Sequence, residues 1–280
     1  MKKRHYNDRS AGVLARRIIL AALLAVVFTA QAQCTFKNTA FKGGEFLYYN
    51  LYYNWQFVWV NAGSASMSTV ESHYKGQKAY RASLITRGNN KVDDFFVLRD
   101  TLLCYSSLDL APLYYRKGAR EGDRYTVDEV WYNYAGGKTN LTQRRLNRHG
   151  ESKTIKNVRE ECVYDMLNIF LRARSFNPEG WKKGYVLKIP IADGNSIDTA
   201  QLIYRGKSTV KADNGKKYRC LELSYMENED GKLKEIVRFY VTDDDNHIPV
   251  RLDLFLRFGS AKAFLKSMKG NRSPVTCIEQ

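Results

Sequence analysis

The side chains here that could do chemistry are few and poorly spaced for it. Past residue 32 there are three histidines, His73, His149 and His247, each isolated, so none has the spacing of a metal-ligand pair. The run Asp243-Asp244-Asp245-Asn246 offers oxygen ligands. A calcium loop of the EF-hand type needs glycine at its sixth position, however, and here His247 and Ile248 occupy the fifth and sixth. The run reads instead as a solvated hairpin turn ahead of Pro249. No Gly-x-Ser-x-Gly elbow occurs. Cys104 or Cys162 could act as a nucleophile only with a distant histidine, and a lone cysteine in a β core or on a helix face usually behaves as a small hydrophobe. Asp93-Asp94 and Asp128-Glu129 are sequence neighbours, and strand geometry sends such neighbours to opposite faces, which does not suit shared acid–base work. No catalytic residue, metal site or cofactor is expected.

Five cysteines are present, Cys34, Cys104, Cys162, Cys220 and Cys277, with no Cys-x-x-Cys among them, which argues against a redox or zinc motif. The odd count leaves at least one thiol free or paired between chains. Cys34 and Cys277 lie in the terminal segments. Because domain termini are often close, these two are expected to bridge, with a gain approaching ~5 kcal/mol for so long a loop.

The conspicuous chemistry is aromatic: 19 Tyr, 13 Phe and 4 Trp. Tyr and Trp combine an apolar body with a polar tip and serve equally in cores and in binding surfaces. Two sets stand out as ligand-binding candidates. The first is Tyr49, Tyr53, Trp55, Trp59 and Phe170, suited to an apolar guest. The second is Tyr114, Tyr115, Arg116 and Lys117, suited to a surface contact with a glycan.

The N-terminus frames all of this. Lys2, Lys3, Arg4, Arg9, Arg16 and Arg17 precede an apolar run at residues 18–30, and Ala30-Gln31-Ala32 follows with the small-x-small pattern of a cleavage site. The run is too short for a spanning helix, which needs about 20 residues. Residues 1–32 are therefore expected to be a signal peptide, cleaved near Ala32, and the remainder to be periplasmic or secreted. Gln33 is too large and polar to precede a lipidated cysteine, so Cys34 is not expected to carry lipid. Residues 1–32 hold six Lys+Arg and one Asp; taking them from the chain's 45 basic and 29 acidic residues leaves a net charge of +11. The charges are scattered without a basic block, and export removes the protein from nucleic acid, so the excess reads as solubility.

Residues 33–43 form a polar leader, residues 44–268 a β domain and residues 269–280 a C-terminal tail. Leu47, Tyr49, Leu51, Tyr53 and Trp55 share one face of a first strand at period two. A turn follows over residues 56–61, and Ala62-Gly63-Ser64 opens a second strand whose small side chains allow close approach. Further strands are expected at residues 79–86, 95–105, 112–117, 125–134, 185–192, 198–204, 207–212, 218–226, 236–242, 250–258 and 261–265. Asp213-Asn214-Gly215 is a turn between two of them. Residues 160–174 switch to helical spacing, with Val163, Met166, Leu167, Phe170 and Leu171 on one side. The expected fold is mainly β: a strongly curved antiparallel sheet or open barrel of about a dozen strands, with one amphipathic helix packed against the face of Leu47 and Tyr49.

The order of these segments resembles a known family. "GEFLYYNLYYNW", "NAGSASM" and "DTLLCYSSLDLAPLYYRKGAREGDR" are followed by the helix "VYDMLNIFLRAR", then by "KYRCLELSY" and "VRFYVTDDDNHIPVRLDLFLRFGSAKAFL". Over roughly residues 43–265 this is similar to the domain-of-unknown-function family 3108 of exported Gram-negative proteins. The resemblance implies an exported β protein without accepted catalytic residues. Together these readings point to a non-catalytic binding or chaperone-like protein for a lipid, acyl chain or hydrophobic segment, which would occupy an apolar strip beside the helix. Peripheral contact with a membrane is compatible with it. The alternatives are an envelope glycan-binding or assembly factor and an unrecognised hydrolase. Partners and oligomeric state are left open.

Overall fold

Alternating apolar and polar residues between glycine-marked turns build long antiparallel strands, and these dominate the computed structural model, which describes residues 34–55, 58–94, 97–256 and 259–279. The elements run β1 (Glu45–Trp55), β2 (Val58–Tyr74), β3 (Gln77–Gly88), a one-turn helix α1 (Asn90–Asp93), β4 (Leu98–Ser107), β5 (Pro112–Glu121), β6 (Arg124–Ala135), β7 (Lys138–Leu146) and β8 (Ser152–Arg159). The helix α2 (Met166–Ala173) follows, then β9 (Val186–Asp193), β10 (Ser196–Lys211), β11 (Lys217–Glu229), β12 (Lys232–Thr242), β13 (Pro249–Leu256), β14 (Gly259–Lys269) and a short β15 (Ile278–Glu279). They form one 15-stranded sheet in the order β8-β7-β6-β5-β4-β3-β2-β1-β14-β13-β12-β11-β10-β9, with β15 against β11. The sheet curls strongly but does not close, since β8 and β9 remain its two ends. The proposed signal peptide lies outside the described residues.

The differences from the sequence reading have local causes. β2 begins at Val58, where a turn over residues 56–61 was expected, and a bulge between Leu51 and Tyr52 absorbs the extra residue near Gly63. The strands expected at 198–204 and 207–212 are one strand, β10, bent by an irregularity between Tyr204 and Gly206. β7 and β8 were not anticipated, because their polar sequences, KTNLTQRRL and SKTIKNVR, lack a strong apolar face. The helix is half its expected length. Asp165 caps it by accepting from the backbone N–H groups of Leu167 and Asn168, and the residues before it are extended, with Tyr164 bridging to Ile191 of β9.

Buried Leu47 and Tyr49 define the inward face. Register carries that face to Ala65 and Met67 of β2, and to Leu265 beyond Tyr49 on β14. One end of the curled sheet is plugged. There α2 packs most closely against β4, and also against β5 and β9, while its Leu167 and Leu171 share one core cluster with Leu47 and Tyr49 of β1. The "polar leader" is part of the plug: Phe41 is fully buried with its ring edge-on to Tyr80 at 5.3 Å, and Phe36 meets Phe176 at 5.5 Å. The tail also folds in, its backbone joining β11 at β15 and Cys277 fully buried. Cys277 does not pair with Cys34. The disulfide joins Cys34 to Cys162 in the strap ahead of α2, with Cα atoms 5.5 Å apart, because leader and strap meet in the plug while the tail leaves for β11. Cys104, Cys220 and Cys277 are buried thiols.

The two ends of the sheet overlap. Inward-facing Gln143 of β7 donates to the carbonyls of Gly194 and Ser196 at the tip of the β9–β10 hairpin, at 3.1 and 2.8 Å. Asn195 at that tip donates back to the carbonyls of Gln143 and Lys153. The contact is made by side chains across a seam and not by a strand ladder.

Candidate functional site

Above the plug, the inward face changes character. β1 contributes Leu51 and Tyr53, whose register partners are Ala263 and Ala261 of β14. On the other side Leu84 of β3 faces Leu102 of β4, and on β13 Leu252 and Leu254 pair with the same two alanines. All of these leucines are only half-buried. Higher still, Val60 sits opposite Tyr53, Val58 opposite Trp55 and Leu256 opposite Gly259. Val58 is 62% exposed and Leu256 48%, so the wall ends in bare apolar side chains at an open mouth. Apolar area left in water on several adjacent strands is the feature in this fold that most needs explaining.

The wall that continues from Leu102 is polar, since Lys117 is the register partner of Leu102. Lys117 of β5, Asp128 of β6 and Arg145 of β7 follow one another across the sheet, with Arg145 Nε 3.6 Å from Asp128 Oδ1. Asp100 of β4 lies beside them. Burial, then the nearby Glu121 carboxylate, raise its pKa to about 6 against a weaker pull from Lys117. Oδ1 of Asp100 and Oδ1 of Asp128 make no hydrogen bond among the described residues. The mouth therefore has a leucine side and a charged side.

The predicted ligand set is not brought together. Tyr49 is buried core, its hydroxyl donating to the carbonyl of Pro249 at 3.0 Å, and burial holds its pKa far above the usual phenol. Phe170 packs against Phe239 with centroids 5.8 Å apart. Trp59 faces the other way, with Lys262 Nζ 4.3 Å from its ring centroid. The side chain of Trp55 lies outside the described residues. Only Tyr53 stands in the open wall, and the strip lies above the helix instead of beside it. The cavity next to α2, lined by Phe176, Trp181 and Leu221 among others, has about 10 Å³, too little for a guest. The surface set splits by strand alternation. Tyr115 and Lys117 point inward, while Tyr114 and Arg116 point outward, the Tyr114 hydroxyl 2.5 Å from Glu129 Oε1.

Among the motifs set aside, Asp128 and Glu129 do face opposite ways, whereas Asp93-Asp94 sit on the end of α1, with Asp93 paired to Arg99. The Asp243–Asn246 run is no solvated turn. Asp243 holds Lys207 and Arg219, and buried Asn246 donates to the carbonyl of Ser273 and accepts from its N–H, clasping the tail. Sequence reading missed that clasp, and it also missed Leu84, Leu102 and Asp100. Their alternation was visible, but the register that aligns them on one wall was not.

Fold and mouth together define an open, plugged, β-barrel-like sheet whose upper inward face is of mixed polarity. The chain belongs to the DUF3108 family, described as proteins of unknown function, whose model matches residues 48–266. Among solved structures it is similar to a beta-barrel-like protein of the DUF1849 domain of unknown function from Brucella abortus, with TM-score 0.51 and 11% identity, covering 82% of this chain and 98% of that one. That likeness concerns the fold alone. A protein from Bacteroides fragilis described as exported and of YmcC-like fold covers 84% of this chain and 100% of its own at 11% identity and TM-score 0.35. No curated protein matches the sequence.

Proposed function

We propose that this is an exported, non-catalytic binding protein that holds an amphipathic lipid or acylated segment in its open mouth. The apolar body would lie on Leu84, Leu102, Leu252 and Leu254, with the polar end toward Asp100, Lys117 and Asp128. The observation that carries the reading is the half-exposed leucine wall directly above a fully packed plug. Each such side chain covered by a guest would contribute roughly 1–2 kcal/mol of transfer free energy, the incentive an acyl chain needs to leave water. Export is supported by the basic-then-apolar N-terminus, and the Cys34 sulfur, engaged with Cys162, is not available for lipid attachment. Exposed Val58, Phe255 and Leu256, with Trp59 under Lys262, suit the rim to a membrane surface from which a guest could be collected.

The test is titration with cis-parinarate, a fluorescent fatty acid. Saturable binding at about one site per chain, weakened at least tenfold by Leu84→Asp combined with Leu254→Asp at unchanged fold, is the expected result. Absence of saturable binding, or binding indifferent to the double substitution, overturns the reading.

A further inference from the structure

A cleft of about 410 Å³ lies on the other side of the sheet, on the outward face of β6, β7 and β8. That is within the range of small-ligand sites. Trp131 lines it from β6, Asn133, Asn140 and Thr142 from β6 and β7, Lys156 from β8, and Lys75 reaches in from the β2–β3 turn. Among the described residues no acidic side chain lines it. Neither lysine has an ion-pair partner among the described residues. The outward carboxylate Glu129, two residues from Trp131, is already engaged by the Tyr114 hydroxyl and by Arg144, whose guanidinium also lies 5.8 Å from the Trp131 ring centroid.

The cleft continues an aromatic strip. Tyr74 and Tyr105 have centroids 5.1 Å apart, Tyr74 and Tyr114 stack at 6.1 Å, and Tyr114 meets Trp131 at 5.6 Å. These rings are half-buried and sit on the face away from the core, so core packing does not account for them.

We propose that this cleft binds an acidic polysaccharide. The three kinds of lining group match the three parts of a uronic acid ring. An indole face accepts the C–H face of a pyranose. Asparagine amides and a threonine hydroxyl donate to and accept from ring hydroxyls. Two ammonium groups meet the carboxylate, which a neutral sugar lacks. A line of rings running on from Trp131 suits a polymer better than a monosaccharide. The site is separated from the mouth by the thickness of the sheet, so the two ligands would not compete.

The probe is an oligogalacturonate, titrated by calorimetry into the folded protein, with neutral dextran oligomers, inorganic phosphate and anionic phospholipid vesicles as further arms. Oligogalacturonate should bind, and dextran at least tenfold more weakly. Lys75→Glu with Lys156→Glu, both exposed and not expected to disturb folding, should abolish binding at unchanged melting temperature, and Trp131→Ala should weaken it at least tenfold. Binding should be untouched by Leu84→Asp with Leu254→Asp. Failure of oligogalacturonate to bind, binding that survives the lysine reversals, or phosphate or vesicles binding as tightly as the oligosaccharide through the same lysines each overturns the assignment.

Discussion

Arg174 and Glu45 meet in a bidentate ion pair inside the plug, Nη1 to Oε2 at 2.5 Å and Nη2 to Oε1 at 2.8 Å, with both side chains almost wholly out of water. Arg174 also donates to the carbonyl of Asn246, so one guanidinium joins the end of α2, the start of β1 and the turn that clasps the tail. Breaking a buried pair from one side leaves the other charge uncompensated and typically costs about 3–5 kcal/mol. Glu45→Gln should therefore lower the melting temperature by on the order of 10 °C for a chain this long. Arg174→Met together with Glu45→Leu, which removes both charges, should recover much of the loss. Thermal denaturation followed by circular dichroism decides it, and a single substitution shifting the midpoint by less than 2–3 °C would contradict the role assigned to the pair.

The cysteines give a count. With Cys34 and Cys162 joined and three thiols buried, the folded protein should react negligibly with a thiol reagent. Denatured without reductant it should show three thiols, and after reduction five. Burial pushes the Cys220 and Cys277 thiols up to about 12, which further suppresses thiolate in the fold. Cys34→Ser should destabilise by about 2–5 kcal/mol, since the bridge closes a separation of 128 residues. One thiol in the unreduced, denatured protein would mean a second bridge and a different plug.

Asp100 sets a pH trend. Its carboxyl binds a proton near pH 6 when folded and near 3.8 otherwise, so between those values the folded chain holds more protons than the unfolded one. Its contribution is a cost fully present above pH 6 and relieved as the pH falls toward 4. Asp165, raised to about 6 chiefly by burial, acts in the same direction, while His247, pushed down by burial, acts in the opposite one around pH 6.5. The comparison that isolates Asp100 is therefore the wild type against Asp100→Asn. The variant should be at least as stable at pH 7 and should gain less on going to pH 5. Parallel stability curves for the two proteins would refute the assignment.

What could be read beforehand followed the strength of local patterns. Leu47 and Tyr49 gave the core face because five alternating positions agree, and Ala62-Gly63 announced close approach: a Cβ at Gly63 would lie 2.0 Å from the carbonyl oxygen of Arg87 on β3. Strands β7 and β8 escaped because one face is polar and the other short. The plug escaped for a different reason. Phe36 and Phe41 sit in a segment with no period at all, and only long-range pairing with the strap and the tail makes them core. An apolar strip was expected beside the helix, whereas the half-buried leucines lie above it, because no local signal says how high up the sheet a short helix will dock.

The overlapping seam has a mechanical consequence. In a continuous hoop of strands, girth is fixed by strand number and stagger. Here the circumference is interrupted, and the tip holding Gly194 and Ser196 rests on the amide of Gln143. Such a split ring can widen or tighten by sliding that tip over its rest, exchanging a few side-chain hydrogen bonds while every ladder stays intact. The calibre of the ring is thus adjustable at small energetic expense, which under the proposed function would let one chain take guests of unequal bulk.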